Sequence, residues 1–452
     1  MGNTADSVIA KYLTERIPRY TSYPPAPHFS SATGPSSYRD WLCTLPDSAR
    51  LSLYLHVPFC RSLCWYCGCN TNIVRHWDAI ERYMRTLQRE IALVARLTGS
   101  RRVAHIHWGG GTPTIMGPGL FAAAMAHLRN LFDIEPNAEI AIEVDPRRLD
   151  TAMADALGQA GVTRASLGVQ SFDPSVQHAV ARIQSLADTQ SCADRLRQAG
   201  IAAINLDLLY GLPYETVVTC EATVKAALTL APARLSVFGY AHVPAMMKHQ
   251  RVIDAATLPD SDERLLQEQT IGRALLQAGY NRIGLDHYAL PGDPLSQAHS
   301  DGTLKRNFQG YTDDPAEASI GIGASAIGQL PHGYVQNAAD TRIWRDRIEA
   351  GELATARGFP LAREDGLRAA IIERLMCDLK ADIPALLHRH GFPDGWLDTE
   401  LAGLHPLAAD GLAQIDNGVV IVPEAARNLV RRVASVFDAY LDPAAGRHAP
   451  AV

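Results

Sequence analysis

The sequence has no apolar run approaching the roughly 20 residues that cross a bilayer, and residues 1–11 contain no apolar signal core. Gly2 follows the initiator, but Asp6 stands where a myristoylation signal wants Ser or Thr. Basic charge is not in excess: 42 Lys and Arg face 48 Asp and Glu, a net charge of −6 that argues against nucleic acid as a partner. A second metal-ligand pair is also missing. After Cys60, Cys64, Cys67 and Cys69 the next cysteine is Cys192, so a tetrahedral zinc site would close poorly. Cys43, Cys192, Cys220 and Cys377 are isolated and read as ordinary thiols. These absences point to a cytoplasmic protein with no membrane and no nucleic acid among its partners, in a compartment where thiols stay reduced.

The most informative feature present is the spacing CxxxCxxC of Cys60, Cys64 and Cys67, placed directly after an apolar run at 51–57 that Pro58 and Phe59 close. A cubane of four irons needs four ligands, so three thiolates leave one iron open to bind a small molecule. The 452 residues, 47% of them hydrophobic, allow one large core with a smaller companion.

Short apolar runs recur at 51–58, 102–108, 138–144, 164–170, 203–210, 234–240 and 281–288, separated by amphipathic stretches. One stretch carries Ile80, Tyr83, Leu87, Ile91 and Val94 at helical spacing and stops at Gly99; another runs from 261 to 279. Alternating strands and helices imply a parallel sheet, whose ligands gather where the strands' C-terminal ends emerge. Cys60, the glycines 109–111, Glu143, Gln170, Asp207, Tyr240 and Ala241 all fall at such ends, so an open or partial barrel with one shared cavity is expected. Residues 1–45, with prolines at 18, 24, 25, 27 and 35, are expected to form an irregular arm, and 46–350 the barrel. From 351 to 452 the pattern is helical runs at 363–379, 382–390 and 396–404. A hairpin then turns at Asn417-Gly418, and a last helix spans 424–441. This module has the order of a winged nucleic-acid reader but no basic stripe, which favours a lid.

Gly109-Gly110-Gly111-Thr112-Pro113 lacks GxGxxG spacing and is no dinucleotide fingerprint; it suits a tight turn or close approach of a ligand to backbone. Glu143 and Asp145 end a strand and suit helix caps or ligands. Gln170 and Asp207 are polar residues in apolar strands, where an unpaired polar group costs about 1–3 kcal/mol, so they need a partner in a ligand or a neighbouring strand.

Taken together, 53–60 (LYLHVPFC), the cysteine spacing and Cys67-Gly68-Cys69-Asn70 resemble the radical S-adenosylmethionine (SAM) enzymes. Within them the chain resembles the oxygen-independent coproporphyrinogen III dehydrogenases (oxidases). Further matches are 18–24 (PRYTSYP), 107–114 (HWGGGTPT), 168–172 (GVQSF), 207–213 (DLLYGLP), Asp286-His287 and 306–312 (RNFQGYT), which together cover nearly the whole chain. The resemblance implies an α/β fold, a partial (β/α)6 TIM-like barrel of the radical SAM type with an added strand or two, an N-terminal arm and a C-terminal helical or winged module.

It also implies a 4Fe-4S cluster on Cys60, Cys64 and Cys67, with Cys69 outside the ligand set, and two SAM molecules per chain. The first would be contacted by Gly110, Gly111, Thr112, Glu143, Tyr54 and Ile327. The second would be contacted by Tyr66, Gly68, Gln170, Arg182, Asp207 and Ala241; Tyr66 departs from the family's frequent Phe. The reduced cluster would cleave SAM to a 5′-deoxyadenosyl radical, which takes hydrogen from a propionate β-carbon. Loss of carbon dioxide and an electron then leaves a vinyl group, twice per macrocycle. Coproporphyrinogen III, a low-potential electron donor and an electron acceptor are the implied partners of a monomeric enzyme. Four propionates ask for cations: Arg19 and Lys305-Arg306 are candidates, with Tyr20 and Tyr23 to cover the macrocycle. Two rival readings are a haem-binding chaperone, which typically lacks the fourth cysteine and the arm, and a radical SAM methyltransferase or cyclopropanase.

Overall fold

A computed structural model describes residues 11, 12, 15, 17–99 and 101–441. Six parallel strands form the frame: β1 Leu51–Val57, β2 Arg102–Gly110, β3 Asp133–Val144, β4 Arg164–Gln170, β5 Ala203–Tyr210 and β6 Arg234–Gly239. A seventh parallel strand, Ala318–Ile322, joins on the far side of β1. Antiparallel strands extend the sheet to 12, ending at Thr355–Pro360 on one edge and Asn281–Ile283 on the other. The edges are not paired to each other, so the barrel is open.

The periodicity that identified these strands is the burial pattern itself. In β5, residues 204, 206, 208 and 210 are buried while 203, 205, 207 and 209 are partly accessible, as expected when alternate side chains face opposite sides of a sheet. Helices return each strand to the next. The helix Trp77–Thr98 lays Ile80, Met84, Leu87, Ile91 and Val94 into the core and ends at Gly99, whose φ of 66° an L residue adopts at a cost.

Three expectations are corrected. The run 281–288 is two strands, Asn281–Ile283 and His287–Ala289, because the chain turns at Gly284 with φ 56°. The arm includes a helix, Pro35–Cys43, with proline at its first turn where no N–H is needed. The segment 424–441 is not one helix: it runs as 3-10 turns Glu424–Leu429 and Ser435–Phe437 around a short α-helix, Val430–Ala434. Leu429, Val433 and Phe437 are buried in the C-terminal core while Arg427 and Arg431 are buried as well; burial on both sides overrides helical preference.

The C-terminal module has its own core. Leu367, Ile371, Leu375, Val420, Val430 and Phe437 pack there, and Tyr12, Ile17, Tyr20 and Tyr23 of the arm are part of it. Its hairpin, Gln414–Asp416 and Val419–Ile421, turns through Asn417 (φ 49°) and Gly418 (φ 80°), the two positive angles of the expected type I′ turn. The barrel sheet continues to Pro360, past the expected boundary at 350. Among the described residues no helix is long and apolar enough to cross a membrane.

Candidate active site

At the C-terminal ends of β1 to β6 lies a cavity of about 820 Å³. Of the residues singled out from sequence, Tyr54, Tyr66, Gly68, Gly110, Glu143, Gln170, Asp207, Ala241, Ile327, Arg19 and Arg306 line it, with Cys69.

The cysteine loop leaves β1 and is held from three sides. The Trp65 N–H donates to Val180 O (2.9 Å), Gln250 Nε2 donates to Tyr66 O (3.0 Å), and His249 Nε2 donates to Cys67 O (2.7 Å). Hydroxyls of Thr71 and Thr112 lie 3.4 and 3.5 Å from Cys60 Sγ. Hydrogen bonds from Cys69, with the charges of His249 and Arg182, push the Cys67 thiol down to about 6 against the opposing effect of burial. The lowered Cys67 thiol favours the thiolate, the form that ligates iron. Its hydrogen bond raises Cys69 correspondingly. Cys60, Cys64 and Cys67 are free thiols of one short loop, and a cubane takes one thiolate on each of its irons. This donor set fits the cluster.

The glycine loop is glycine for two reasons. Gly110 has φ 115°, and a Cβ there would stand 2.7 Å from the His56 ring. A Cβ on Gly111 would stand 2.6 Å from Phe59 O, at the base of the cysteine loop, to which the loop is tied by Gly111 N–H to Val57 O (2.9 Å). Gly110 lines the cavity, Gly111 packs behind it, and Thr112 faces Cys60.

Glu143 is not a helix cap; Asp150 caps the following helix. Its carboxylate accepts the Gly110 N–H (3.0 Å) and pairs with His107 (3.3 Å) while facing the cavity. Beside it, Tyr54 O–H donates to His56 Nδ1 (3.0 Å), and His56 Nε2–H donates to Asn70 O (3.1 Å), linking the strand to the exit of the cysteine loop. Burial pushes His56 down, consistent with a neutral ring. On β5, Asp207 accepts from Ser166 (3.1 Å) and is pushed up to about 6 by burial and then by the Glu143 charge. Gln170 sits at a register shift with φ 71°, strained for a residue with a Cβ, and opens onto the cavity.

Three residues lie elsewhere than sequence suggested. Arg182 points behind the cysteine loop, with Nη1 3.5 Å from Cys64 Sγ and Nη2 3.8 Å from Asp145, because Asp145 also holds Arg147 and draws both guanidiniums to that side. Tyr20 and Tyr23 are buried in the C-terminal core rather than over the cavity: the Tyr20 hydroxyl donates to Asp438 (3.0 Å) and the Tyr23 oxygen accepts the Ala439 N–H (3.0 Å). They anchor the arm, and that anchoring brings Arg19 to the cavity. Lys305 is tied to Ala316 O (3.1 Å), leaving Arg306 as the cation of that pair in the cavity.

Sequence reasoning missed Arg264 and Arg431, which also line the cavity. No motif marks them; they come from a barrel helix and the C-terminal module, and three-dimensional packing alone brings them together.

The Radical SAM superfamily model matches residues 54–227. The oxygen-independent coproporphyrinogen III oxidase of Bradyrhizobium diazoefficiens is 53% identical over 442 residues, covering 98% of both chains. That of Pseudomonas aeruginosa is 40% identical, covering 94% of this chain and 93% of the relative. The solved structure of the coproporphyrinogen III oxidase of Escherichia coli, described as a radical SAM enzyme, superposes with a TM-score of 0.90 at 36% identity, over 96% of this chain and 98% of that one. The chain belongs to the radical SAM superfamily and, within it, to the family of oxygen-independent coproporphyrinogen III oxidases.

Proposed function

We propose that this chain oxidatively decarboxylates two propionates of coproporphyrinogen III to vinyl groups without oxygen, giving protoporphyrinogen IX. One observation carries the reading beyond family membership: a single cavity beside the cysteine loop is lined by the Cys69 thiol, by the Glu143 and Asp207 carboxylates and by the guanidinium groups of Arg19, Arg264, Arg306 and Arg431. The Glu143 and Asp207 carboxylates suit a cationic SAM; Arg19 and Arg306 suit a polyanionic macrocycle.

Cys60, Cys64 and Cys67 would hold a 4Fe-4S cluster, which together with SAM would supply one-electron chemistry strong enough to activate an unactivated C–H bond. The chain's own groups do the rest. Glu143, held by the Gly110 N–H and His107, presents a carboxylate that suits the two hydroxyls of a ribose. With it, Tyr54, Gly110, Gly111, Thr112 and Ile327 form the first SAM site. Asp207, Gln170, Tyr66, Gly68 and Ala241 form a second, with Arg182 at its back against Cys64. Leu209, Val237, Phe238, Leu285 and Phe308 give the cavity an apolar wall for the macrocycle. The arm and the C-terminal module close the mouth and keep water from a reactive radical. The enzyme works as a cytoplasmic monomer, drawing electrons from a low-potential donor and passing one per decarboxylation to an acceptor.

Anaerobic incubation of reconstituted protein with dithionite, SAM and coproporphyrinogen III tests this. Protoporphyrinogen IX with 5′-deoxyadenosine supports it. Bound haem without turnover, or S-adenosylhomocysteine in place of 5′-deoxyadenosine, would replace it with the chaperone or the methyl-transfer reading.

A further inference from the structure

Gln250 is 1% exposed, and both polar atoms of its side chain are engaged. Nε2 donates to Tyr66 O (3.0 Å) and to Ala241 O (3.3 Å), while Oε1 accepts the Val243 N–H (2.6 Å). One amide thus joins the middle of the cysteine loop to the backbone just past the end of β6. Beside it, on the same 3-10 turn Lys248–Val252, His249 Nε2–H donates to Cys67 O (2.7 Å). A carbonyl only accepts, so this ring nitrogen carries the proton. The carbonyls of Tyr66 and Cys67 are therefore taken by side chains 184 and 182 positions further along the chain.

The segment that supplies these bonds is a strap. Of its described residues 241–252, only the 3-10 turn is regular structure. Its flanks are fixed, since Tyr240 and Ile253 are buried in one small apolar cluster against which Trp65 and Tyr66 of the cysteine loop also pack. Between the flanks it has two faces. Val243, Met247 and Gln250 line the cavity, whereas Met246 and Val252 are exposed on the outside.

A buried glutamine bonded within one element would be ordinary structural support. Gln250 instead bridges two elements that border the same cavity, the cysteine loop at Tyr66 and the wall at Ala241. Losing its donors would leave two backbone carbonyls short of a partner, at about 1–3 kcal/mol for each buried group, and the loop would be free to shift against the wall. A displacement of about 1 Å at a reacting centre can cost about a hundredfold in rate.

Resting on the function given above, we propose that Gln250, with His249, is a positioning residue for the reaction: it locks the cysteine loop to the wall carrying Val243 and Met247, so that the loop and the bound macrocycle keep one relative placement. The strap touches the macrocycle on one face and the cysteine loop through its hydrogen bonds, which makes it the link between the two.

Four variants of the reconstituted holoenzyme test this, each measured for iron content and thermal unfolding. Gln250→Met keeps the length of the side chain without its donors or acceptor; Gln250→Leu shortens it as well. His249→Leu removes the bond to Cys67 O, and His249→Gln keeps an N–H donor. The first readout needs no macrocycle: the electron paramagnetic resonance spectrum of the dithionite-reduced cluster, with and without SAM. The second is the number of 5′-deoxyadenosine molecules released per vinyl group formed. Gln250→Met, Gln250→Leu and His249→Leu are expected to keep wild-type iron and to show g values shifted from wild type when SAM is added. In the same three variants 5′-deoxyadenosine per vinyl group should rise about tenfold, because a displaced loop spends SAM without reaching the propionate. His249→Gln should stay close to wild type in both. An unchanged spectrum and ratio in Gln250→Met and His249→Leu would overturn the proposal. So would loss of iron with a lowered unfolding temperature in both, which would make the two residues supports of the fold. Wild-type protein that releases 5′-deoxyadenosine but forms no vinyl group would overturn the proposed reaction instead, and the spectra, recorded without macrocycle, would still decide the positioning role.

Discussion

The two sides of the cavity are built in opposite ways. On the cysteine side, Cys60, Cys64, Cys67 and Cys69 come from one loop of ten residues, and the glycine loop that supports it is hydrogen-bonded directly to its base. On the arginine side, four guanidiniums arrive from positions 19, 264, 306 and 431, on an arm, a helix, a short hairpin and a separate module. Generating a radical needs a fixed geometry about one cluster, and a short local loop provides it. Holding a macrocycle needs contacts far apart in space, which distant segments supply.

The sharpest way to break this contrast is at the loop. Cys60→Ser, Cys64→Ser or Cys67→Ser is expected to abolish the cluster's visible absorbance and all SAM cleavage, while Cys69→Ser keeps the iron. Iron content and the optical spectrum decide it; loss of iron from Cys69→Ser equal to the others would make the fourth thiol a ligand.

A smaller effect is expected on the other side. Arg19→Ala should weaken coproporphyrinogen III by about tenfold to a hundredfold, the usual cost of one charged hydrogen bond to a carboxylate, with the iron retained. Removing the arm is a poorer experiment, because Tyr20 and Tyr23 belong to the C-terminal core and their loss would destabilise that module. Undiminished affinity in Arg19→Ala would detach the arm from the site.

The second SAM proposed above would lie between the two sides. Anaerobic equilibrium binding is expected to give two SAM per wild-type chain and one in Asp207→Ala, with the cluster intact; a wild-type stoichiometry of one would leave Asp207 and Gln170 with a structural role.

What could be read from the sequence follows the same divide. Local spacing and strand pattern exposed the cysteine loop, Glu143, Gln170 and Asp207, because a polar residue within or at the end of an apolar strand is visible one residue at a time. Arg264 could not be found this way: on its helix it is one charged residue among several, and nothing local distinguishes a surface arginine from one facing a cavity. Tyr20 and Tyr23 misled for a related reason, since an aromatic beside a motif serves equally as wall or as anchor. The 424–441 segment has a helical pattern, and its breakup into short turns depends on a neighbour the sequence does not name.

The smallest effect concerns stability. Glu215 is buried and pushed up to about 8, mainly by burial, against the opposing effect of the Leu212 N–H, which donates to Oε2 at 3.0 Å, and of the neighbouring Cys220 thiol. The folded state keeps this proton to higher pH than the unfolded chain, whose carboxyl titrates near 4.5. Its contribution is therefore whole below about pH 4.5 and lost as pH rises toward 8. Glu215→Gln, which mimics the protonated form, should raise the Tm at pH 8.5 by a few degrees and leave it nearly unchanged at pH 5. An equal shift at both pH values would show that titration of Glu215 is not the cause.

The claim that both sides serve one reacting pair is tested most directly by following the hydrogen. Coproporphyrinogen III deuterated at the propionate β-carbons is incubated anaerobically with the reduced enzyme and SAM, and the 5′-deoxyadenosine is examined by mass spectrometry. Deuterium in the 5′-deoxyadenosine, in step with vinyl formation, is the result expected of a shared cavity. Unlabelled 5′-deoxyadenosine accompanying full vinyl formation would contradict it.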